Sequence, residues 1–239
     1  MIAKGGKPIW GAAVGIVMLE ARFPRIPGDM GNALTWDFPV LYRVVRDATP
    51  DRVVRRGAEG LSGAFIDAAR QLVADGADGI ATNCGFLSLY QRQLAEALPV
   101  PVLTSSLMQV EMVNRTLPAG RRAGVLTVSA SSLRREHLVA AHVPEGTPIG
   151  STEGGREFTR ALLDNAPEMN IEAARADNVA AALALQRETP DLGAIVLECT
   201  NMCPYAGDIA AATGLPVYSM VSLVSWFQAG LVPPRWDAR

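Results

Sequence analysis

The chain has 239 residues, with 22 basic and 24 acidic side chains and a formal net charge of −2. A chain of this length buries roughly 70% of its unfolded surface, so it needs no disulfide or metal for stability. The charge argues against the basic surface of a nucleic-acid-binding protein, and no apolar run reaches the ~18 residues of a membrane span. Three cysteines do not indicate a secreted disulfide framework, and we expect a cytoplasmic protein.

The first half of the chain predicts alternating buried strands and helices. Apolar runs at 12–19 and 40–45 are typical of strands in a parallel sheet, and apolar residues recur at helical spacing over 57–74. The segment 22–32 between the two strands is too rich in proline and glycine for either element. We therefore expect a long loop at the carboxyl end of the first strand, the edge where open α/β sheets bind ligands.

A unit containing a cysteine follows in each half. In the first half it comprises a strand at 79–82, a turn holding Cys84, a helix over 86–97 and a strand at 100–103. The second half predicts a strand at 122–128, a serine-capped helix ending near 141, a strand at 148–150, and helices over 157–165 and 173–187. A strand at 194–197, Cys199 and a helix over 221–229 complete the pattern.

The two cysteine units are related by a constant offset. Cys84 and Cys199 lie 115 residues apart, as do the Pro-Val pairs that open the strands at 101 and 216. Alternating strands and helices in a duplicated arrangement predict an α/β fold of two pseudo-symmetric lobes, each a short parallel sheet flanked by helices. We expect residues 1–107 and 220–239 in the first lobe, 108–219 in the second, and the active site in the cleft between them.

The position of the two cysteines suggests acid–base chemistry. Each cysteine ends a predicted parallel strand and precedes a helix, where backbone N–H groups and the helix dipole favour negative charge. Such surroundings are expected to lower the pKa of a thiol from about 8.5 towards neutrality. If the strand ends of the two lobes face each other, Cys84 and Cys199 can remove and return a proton on opposite faces of one carbon.

Other groups at the strand ends and in the long loop are candidates for binding a small carboxylate substrate. Backbone N–H groups at a helix start stabilise a developing anion, an arginine can clamp a carboxylate, and an aspartate can receive an ammonium group. Arg25 is equally well interpreted as an ordinary loop charge. The candidates are Asn83, Gly85, Phe86, Thr127, Ser129, Thr200, Asn201, Arg25 and Asp29.

No pattern indicates a metal site. Cys203 follows Cys199 by four residues, but no further ligands with zinc spacing lie nearby, and His137 and His142 do not share a helix face. We expect Cys203 to be a packing residue, with a redox-active resolving thiol as the alternative, and both histidines to be surface residues.

The two cysteine motifs resemble those of a known superfamily. Thr82-Asn83-Cys84-Gly85 and Glu198-Cys199-Thr200-Asn201 are similar to the paired motifs of the aspartate/glutamate racemase superfamily, which includes hydantoin racemases, arylmalonate decarboxylases and maleate isomerases. The resemblance covers nearly the whole chain. It implies two α/β lobes, an interlobe active site, catalysis by Cys84 and Cys199 without a cofactor, and a homodimer. Decarboxylases of the group dispense with the first cysteine, so the presence of both argues against decarboxylation.

The sequence therefore predicts a cofactor-independent racemase or epimerase of aspartate, glutamate or a related small carboxylate. One alternative is a hydantoin-type racemase. Another is a cis–trans isomerase of a small unsaturated diacid, in which a cysteine adds to the double bond. A third is a two-lobed small-molecule sensor without turnover, in which the cysteines serve only packing or a redox response.

Overall fold

The computed structural model of the chain describes residues 5–234 and Trp236. Within them lie two parallel sheets of four strands each, with strand orders β2-β1-β3-β4 and β6-β5-β7-β8. The strands are β1 (Val14–Leu19), β2 (Val40–Val45), β3 (Gly79–Thr82), β4 (Val102–Leu103), β5 (Arg122–Thr127), β6 (Ile149–Ser151), β7 (Leu192–Leu197) and β8 (Val217–Tyr218). The predicted fold class, two α/β lobes, is confirmed.

Helices connect the successive strands of each sheet, as parallel pairing requires, except that β1 and β2 are joined by the predicted long loop with one short 3-10 segment. The α-helices are α1 (Ser62–Asp75), α2 (Gln91–Ala97), α3 (Val110–Thr116), α4 (Arg135–Ala140), α5 (Phe158–Leu163), α6 (Ile171–Glu188), α7 (Ala206–Thr213) and α8 (Met220–Leu231). Short 3-10 segments span Ala33–Thr35, Gly85–Tyr90, Ser106–Gln109 and Thr200–Tyr205, and a π-helical turn spans Asp51–Arg55.

Burial of the central strands explains why apolar runs form them. All six residues of β1 are buried, and β1 lies between β2 and β3. Gly15 in this strand allows close packing, because a Cβ there would lie 3.0 Å from both Ile80 Cδ1 and Leu72 Cβ. The strand therefore packs directly on its neighbour β3 and on helix α1.

Each sheet is covered in part by a helix that follows a strand of the other sheet. Helix α3 follows β4 of the first sheet but packs on β5 of the second, where Asn114 Oδ1 accepts a hydrogen bond from the Ala123 N–H at 2.8 Å. Helix α8 follows β8 of the second sheet, and its buried residues Met220, Leu223 and Val224 pack in the core of the first sheet. We retain the lobe boundaries given above as a proposal.

The helix predicted over 86–97 is present as a 3-10 segment followed by α2, and a 3-10 segment also follows Cys199. Two local predictions were wrong. Helix α4 is capped by Arg134 and His137 instead of the preceding serines. His137 is buried rather than exposed, since its Nδ1 accepts the Arg134 N–H at 3.1 Å and its ring packs edge-on against Phe86.

Among the described residues, no helix combines the length and the apolar character that crossing a bilayer requires. Cytoplasmic location and a homodimer stay predictions.

Candidate active site

The strand orders place both cysteines where open α/β sheets bind ligands. In each sheet the order reverses at the central pair, β1 and β3 in the first and β5 and β7 in the second. A crevice opens at the carboxyl ends of such a pair, because the connections leave on opposite sides. Cys84 follows β3 and Cys199 follows β7, so each cysteine lies at the crevice of its own sheet.

The two crevices form one cleft, which we call the cysteine cleft. The cleft is narrow in the ligand-free protein, with a cavity volume of about 20 Å³. Two hydrogen bonds join the lobes beside the cysteine cleft. Ser106 Oγ donates to Leu197 O at 2.5 Å, and Thr200 Oγ1 donates to Asn83 O at 2.5 Å. The residues that line the cleft are Leu19, Phe23, Arg25, Pro50, Val54, Asn83, Cys84, Gly85, Phe86, Val128, Leu162, Leu163, Glu198, Cys199, Thr200 and Asn201.

The surroundings of the two thiols contradict the expected lowering of their pKa. Burial, followed by the negative charge of Glu198, raises the pKa of Cys84 to about 12. The same two causes raise the pKa of Cys199 well above its usual value. Backbone N–H groups do act in the expected direction, those of Phe86 and Leu87 on Cys84 and that of Asn201 on Cys199. Desolvation outweighs them, so both thiols are protonated in the ligand-free site.

Glu198 is a buried carboxylate in the lining of the cleft. Its Oε2 accepts a hydrogen bond from Thr127 Oγ1 at 2.6 Å, and no described atom partners Oε1. Burial raises the pKa of Glu198 to about 7, and the hydrogen bond from Thr127 acts against this rise. The group is therefore poised to gain or lose a proton near neutral pH.

Asn83 lies at the corresponding position of the first half. Its Oδ1 accepts the Leu19 N–H at 2.8 Å, while Nδ2 is buried without a hydrogen-bond partner among the described atoms. The two residues that precede the cysteines, Asn83 and Glu198, thus each leave one polar atom unpaired beside the cleft. Such atoms are costly to bury, and a bound polar ligand would satisfy them.

Arg25 and Asp29 of the long loop form a buried ion pair. Arg25 Nη1 lies 2.7 Å from Asp29 Oδ1, and the guanidinium carbon lies 4.8 Å from the centre of the Phe23 ring. Asp29 also accepts the Gly31 N–H at 2.7 Å and the Asn201 side-chain amide at 2.5 Å. Asn201 therefore ties the loop to the second cysteine motif, and Arg25 reaches the cleft held in place.

The structure brings most of the predicted site residues together and leaves three outside the cleft lining. Asp29 lies behind Arg25, and Thr127 lies behind Glu198. Ser129 Oγ donates to Glu153 Oε1 at 2.8 Å, away from the cleft. The sequence placed Glu198 in the second cysteine motif and indicated its difference from Asn83, 115 residues earlier, as a source of asymmetry, but Glu198 was not among the predicted site residues. Sequence reasoning also missed the apolar lining residues Leu19, Phe23, Pro50, Val54, Val128, Leu162 and Leu163.

Cys203 lies outside the cleft, buried with Met220 and Leu223 in the core of the first sheet. Across the described part of the chain, no cluster of three or more histidine, cysteine, aspartate or glutamate side chains is arranged to hold a metal ion.

The fold and the cleft define a two-lobed α/β protein with a thiol from each lobe at a shared site. The family model for the Asp/Glu/hydantoin racemases matches residues 55–226, and the chain belongs to this family. It has the fold of the family's enzymes.

Individual proteins in the comparison have different activities. A dimethylsulfoniopropionate lyase from Durusdinium sp. clade D is 27% identical over 234 residues, which cover 94% of this chain and 77% of the lyase. An arylmalonate decarboxylase structure matches with a TM-score of 0.60 and 18% identity over 95% of each chain. A glutamate racemase isoform from Bacillus anthracis matches with a TM-score of 0.59 and 14% identity, covering 92% of this chain and 82% of that one.

Proposed function

We propose that the protein removes a proton from the carbon next to a substrate carboxylate, with Cys84 or Cys199 as the base and no cofactor. We further propose that the reaction is the β-elimination of a small sulfonium carboxylate, dimethylsulfoniopropionate. The proposal depends above all on one observation. The cysteine cleft combines two thiols with one cationic side chain, Arg25, and an otherwise largely apolar wall.

The charge of the lining favours a monocarboxylate substrate. Arg25, which is paired with Asp29 behind it, is the cationic side chain among the described lining residues, and Asn83 Nδ2 is an unpaired donor in the same lining. Together they can hold one carboxylate through charge-assisted hydrogen bonds. Aspartate or glutamate would bring a second carboxylate and an ammonium group into the same cleft. The second carboxylate would then lack a cation and lie near Glu198.

The apolar wall suits a sulfonium group. Phe86 and Val128 line the cleft, and an aromatic face attracts cations that carry methyl groups. The carboxylate of Glu198 supplies a negative charge on the same wall. A bound cation also favours the thiolate over the thiol, since an opposite charge nearby lowers a thiol's pKa. Substrate binding would therefore offset the burial that keeps Cys84 and Cys199 protonated.

The reaction balances without a further reactant. A thiolate takes the proton from the carbon next to the carboxylate, forming an S–H bond. The electron pair of the broken C–H bond forms the C=C bond, and the C–S bond breaks with its pair on sulfur. Dimethyl sulfide and acrylate leave, and the thiol returns its proton to solvent. The similarity to the Durusdinium protein, a dimethylsulfoniopropionate lyase, supports this substrate.

Racemisation is the second candidate, favoured by the presence of two thiols. Elimination needs one base, whereas racemisation needs an acid and a base on opposite faces of the same carbon. Cys84 and Cys199 come from equivalent positions of the two halves and line one cleft. Both reactions begin with the same proton removal, so the leaving group of the substrate decides between them.

Headspace gas chromatography of dimethyl sulfide tests the elimination. The dialysed, chelator-treated protein should release dimethyl sulfide and acrylate from dimethylsulfoniopropionate. One of the variants Cys84→Ala and Cys199→Ala should lose at least about 100-fold in kcat. Cys203→Ala, which changes a buried cysteine outside the cleft, is the matched control and should retain activity.

Proton NMR in D₂O tests the alternative with aspartate and glutamate. Deuterium entering Cα in the wild type but in neither cleft variant would favour racemisation. The absence of both dimethyl sulfide and deuterium exchange would refute proton removal next to a carboxylate for these substrates.

A further inference from the structure

Glu198 lies between the two cysteine motifs. It is the chain neighbour of Cys199, and its carboxylate packs against Gly85, the chain neighbour of Cys84. An ideal Cβ on Gly85 would lie only 2.8 Å from Glu198 Cδ, so glycine permits this approach. The negative charge of Glu198 acts on both Cys84 and Cys199. One carboxylate therefore lies beside the backbone of both cysteine motifs and acts on both thiols by its charge, although neither thiol is hydrogen-bonded to it.

Burial of the Glu198 carboxylate destabilises the folded protein, which suggests that the group is kept for a functional role. The residue is fully buried, and only one of its oxygens has a hydrogen-bond partner, Thr127. A buried carboxylate oxygen without a partner destabilises a protein by about 1–3 kcal/mol or more. The unpaired Oε1 belongs to a residue that lines the cleft and so has room for an interaction that forms during the reaction.

We propose that Glu198 accepts the proton of a cleft thiol and thereby supplies the thiolate that takes the substrate's proton. The S–H bond breaks, an O–H bond forms on the carboxylate, and the net charge of the site is unchanged. Glu198 acts through the cysteines and is a positioning residue. This inference rests on the proposed function, which requires a thiolate, but not on which substrate is used.

The surrounding groups allow this transfer. The titratable groups on which the charge of Glu198 acts are Cys84 and Cys199, and Thr127 is its hydrogen-bond donor. In the ligand-free site Cys199 Sγ donates to Asn201 Oδ1 at 3.7 Å, so the transfer requires a thiol to turn towards the unpaired Oε1. The cation of the lining, Arg25, is paired with Asp29 and does not hold the carboxylate. Burial raises the pKa of Glu198 to about 7. Glu198 is thus ionised at mildly alkaline pH, and an ionised carboxylate is the form that can accept a proton.

Coupled titration gives this arrangement a signature without any substrate. When the site has lost one proton, it exists mainly as carboxylate plus thiol, with a minor form that is carboxylic acid plus thiolate. The ratio of the two forms does not change with pH. The reactivity of a cleft thiol should therefore rise near pH 7, reach a plateau, and rise again only at strongly alkaline pH.

Alkylation by iodoacetamide, followed at each cysteine by peptide mass spectrometry, measures this profile. In the wild type we expect the plateau at Cys84 or Cys199 and not at Cys203, which lies outside the cleft. Glu198→Gln keeps the shape but cannot accept the proton, so the step near pH 7 should vanish. Its thiols should alkylate faster than wild-type thiols at high pH, because the negative charge is gone. A Glu198→Gln profile with the wild-type step would overturn the proposal.

Turnover gives an independent comparison. Glu198→Gln should lose at least about 100-fold in kcat, although its thiols are more reactive at high pH, and Glu198→Asp should recover part of the loss. A Glu198→Gln variant within about threefold of wild-type kcat/KM would also overturn the proposal. Glu157→Gln, the same change outside the cleft, is the matched control. If wild type turns over no candidate substrate, the substrate assignment fails while the alkylation profile still decides the role of Glu198.

Circular dichroism establishes that Glu198→Gln is folded before these measurements. If it is not, Thr127→Val takes its place, since loss of the donor should move the alkylation step to higher pH. An unmoved step in Thr127→Val would overturn the proposal as well.

Discussion

Replacing Gly85 with alanine should destabilise the protein and impair the cleft, because Gly85 packs directly on Glu198. A Cβ at Gly85 would lie 2.8 Å from Glu198 Cδ and closer still to Oε1 and to the backbone carbonyl oxygen. A Cβ atom essentially never lies within 3.0 Å of a heavy atom outside its own residue and the two adjoining residues. The φ of Gly85 is not in the positive range, so the effect is steric rather than conformational.

The backbone carbonyl oxygen of Glu198 determines how large the destabilisation of Gly85→Ala should be. The carboxylate of Glu198 can rotate, but its carbonyl follows the buried strand β7 directly and precedes Cys199, so relief requires a backbone shift. Overpacking of this kind costs about 1–3 kcal/mol. A displacement of about 1 Å in a reacting group costs roughly 100-fold in rate. We expect both losses in Gly85→Ala.

Urea unfolding and kcat/KM on the substrate that is turned over measure the two effects. Gly63→Ala is the matched control, since nothing lies within 4 Å of a Cβ at that position in α1. It should leave activity unchanged and stabilise the protein by about 0.5–1 kcal/mol. A Gly85→Ala variant within about 0.5 kcal/mol of wild-type stability and about threefold of its kcat/KM would refute the steric reasoning.

Three further predictions concern the charged groups of the cleft. The pKa of Glu198 is about 7 in the folded protein and 4.5 in the unfolded chain, so between these pH values only the folded protein keeps the proton. The free energy of unfolding should therefore fall by up to about 3 kcal/mol as pH rises through this window. Denaturation across pH should show a shallower slope in Glu198→Gln, and equal slopes would contradict the assignment. Thr127→Val removes the hydrogen-bond donor of Glu198, so it should raise the pKa of Glu198 further and cost about 1–3 kcal/mol of stability. The near-neutral limb of the kcat/KM profile should then move to higher pH, and an unmoved limb would contradict the assignment. Arg25→Lys keeps the charge but loses the planar fork, so steady-state kinetics should show KM raised about tenfold with a smaller change in kcat; a fall confined to kcat would argue against carboxylate binding by Arg25.

The regular elements were predictable because their signals are local. The strands at 40–45 and 79–82 match β2 and β3 residue for residue, since an apolar run bounded by polar or turn residues has one compatible placement in a buried sheet. The 3-10 start after each cysteine was not predictable, because 3-10 and α segments of six residues share nearly the same apolar spacing. The burial of His137 depends on its contact with Phe86, 51 residues earlier in the chain.

The chemistry of the cleft was only partly visible in the sequence. The two cysteines predicted the site, since their constant offset of 115 residues can be read from the sequence. The state of the thiols was not visible, because the helix-terminus effect that favours thiolate is local, whereas the burial that opposes it comes from both lobes. The sequence indicated Glu198 only as a difference from Asn83, and its burial was not predictable, since a glutamate is seldom fully buried unless paired and the close approach of Gly85 comes from the other half.

The exchange of helices α3 and α8 between the sheets has a mechanical consequence for substrate entry. The chain passes from one lobe to the other twice, after β4 and after β8, and the Gln109 side chain donates to Ser219 O at 3.3 Å, so the two crossings are tied together. We expect two joined crossings to resist twisting of one lobe against the other, because twisting would have to break that tie and shear both covering helices. Opening of the cleft would therefore bend the lobes about the crossings and would have to break the hydrogen bonds from Ser106 to Leu197 O and from Thr200 to Asn83 O.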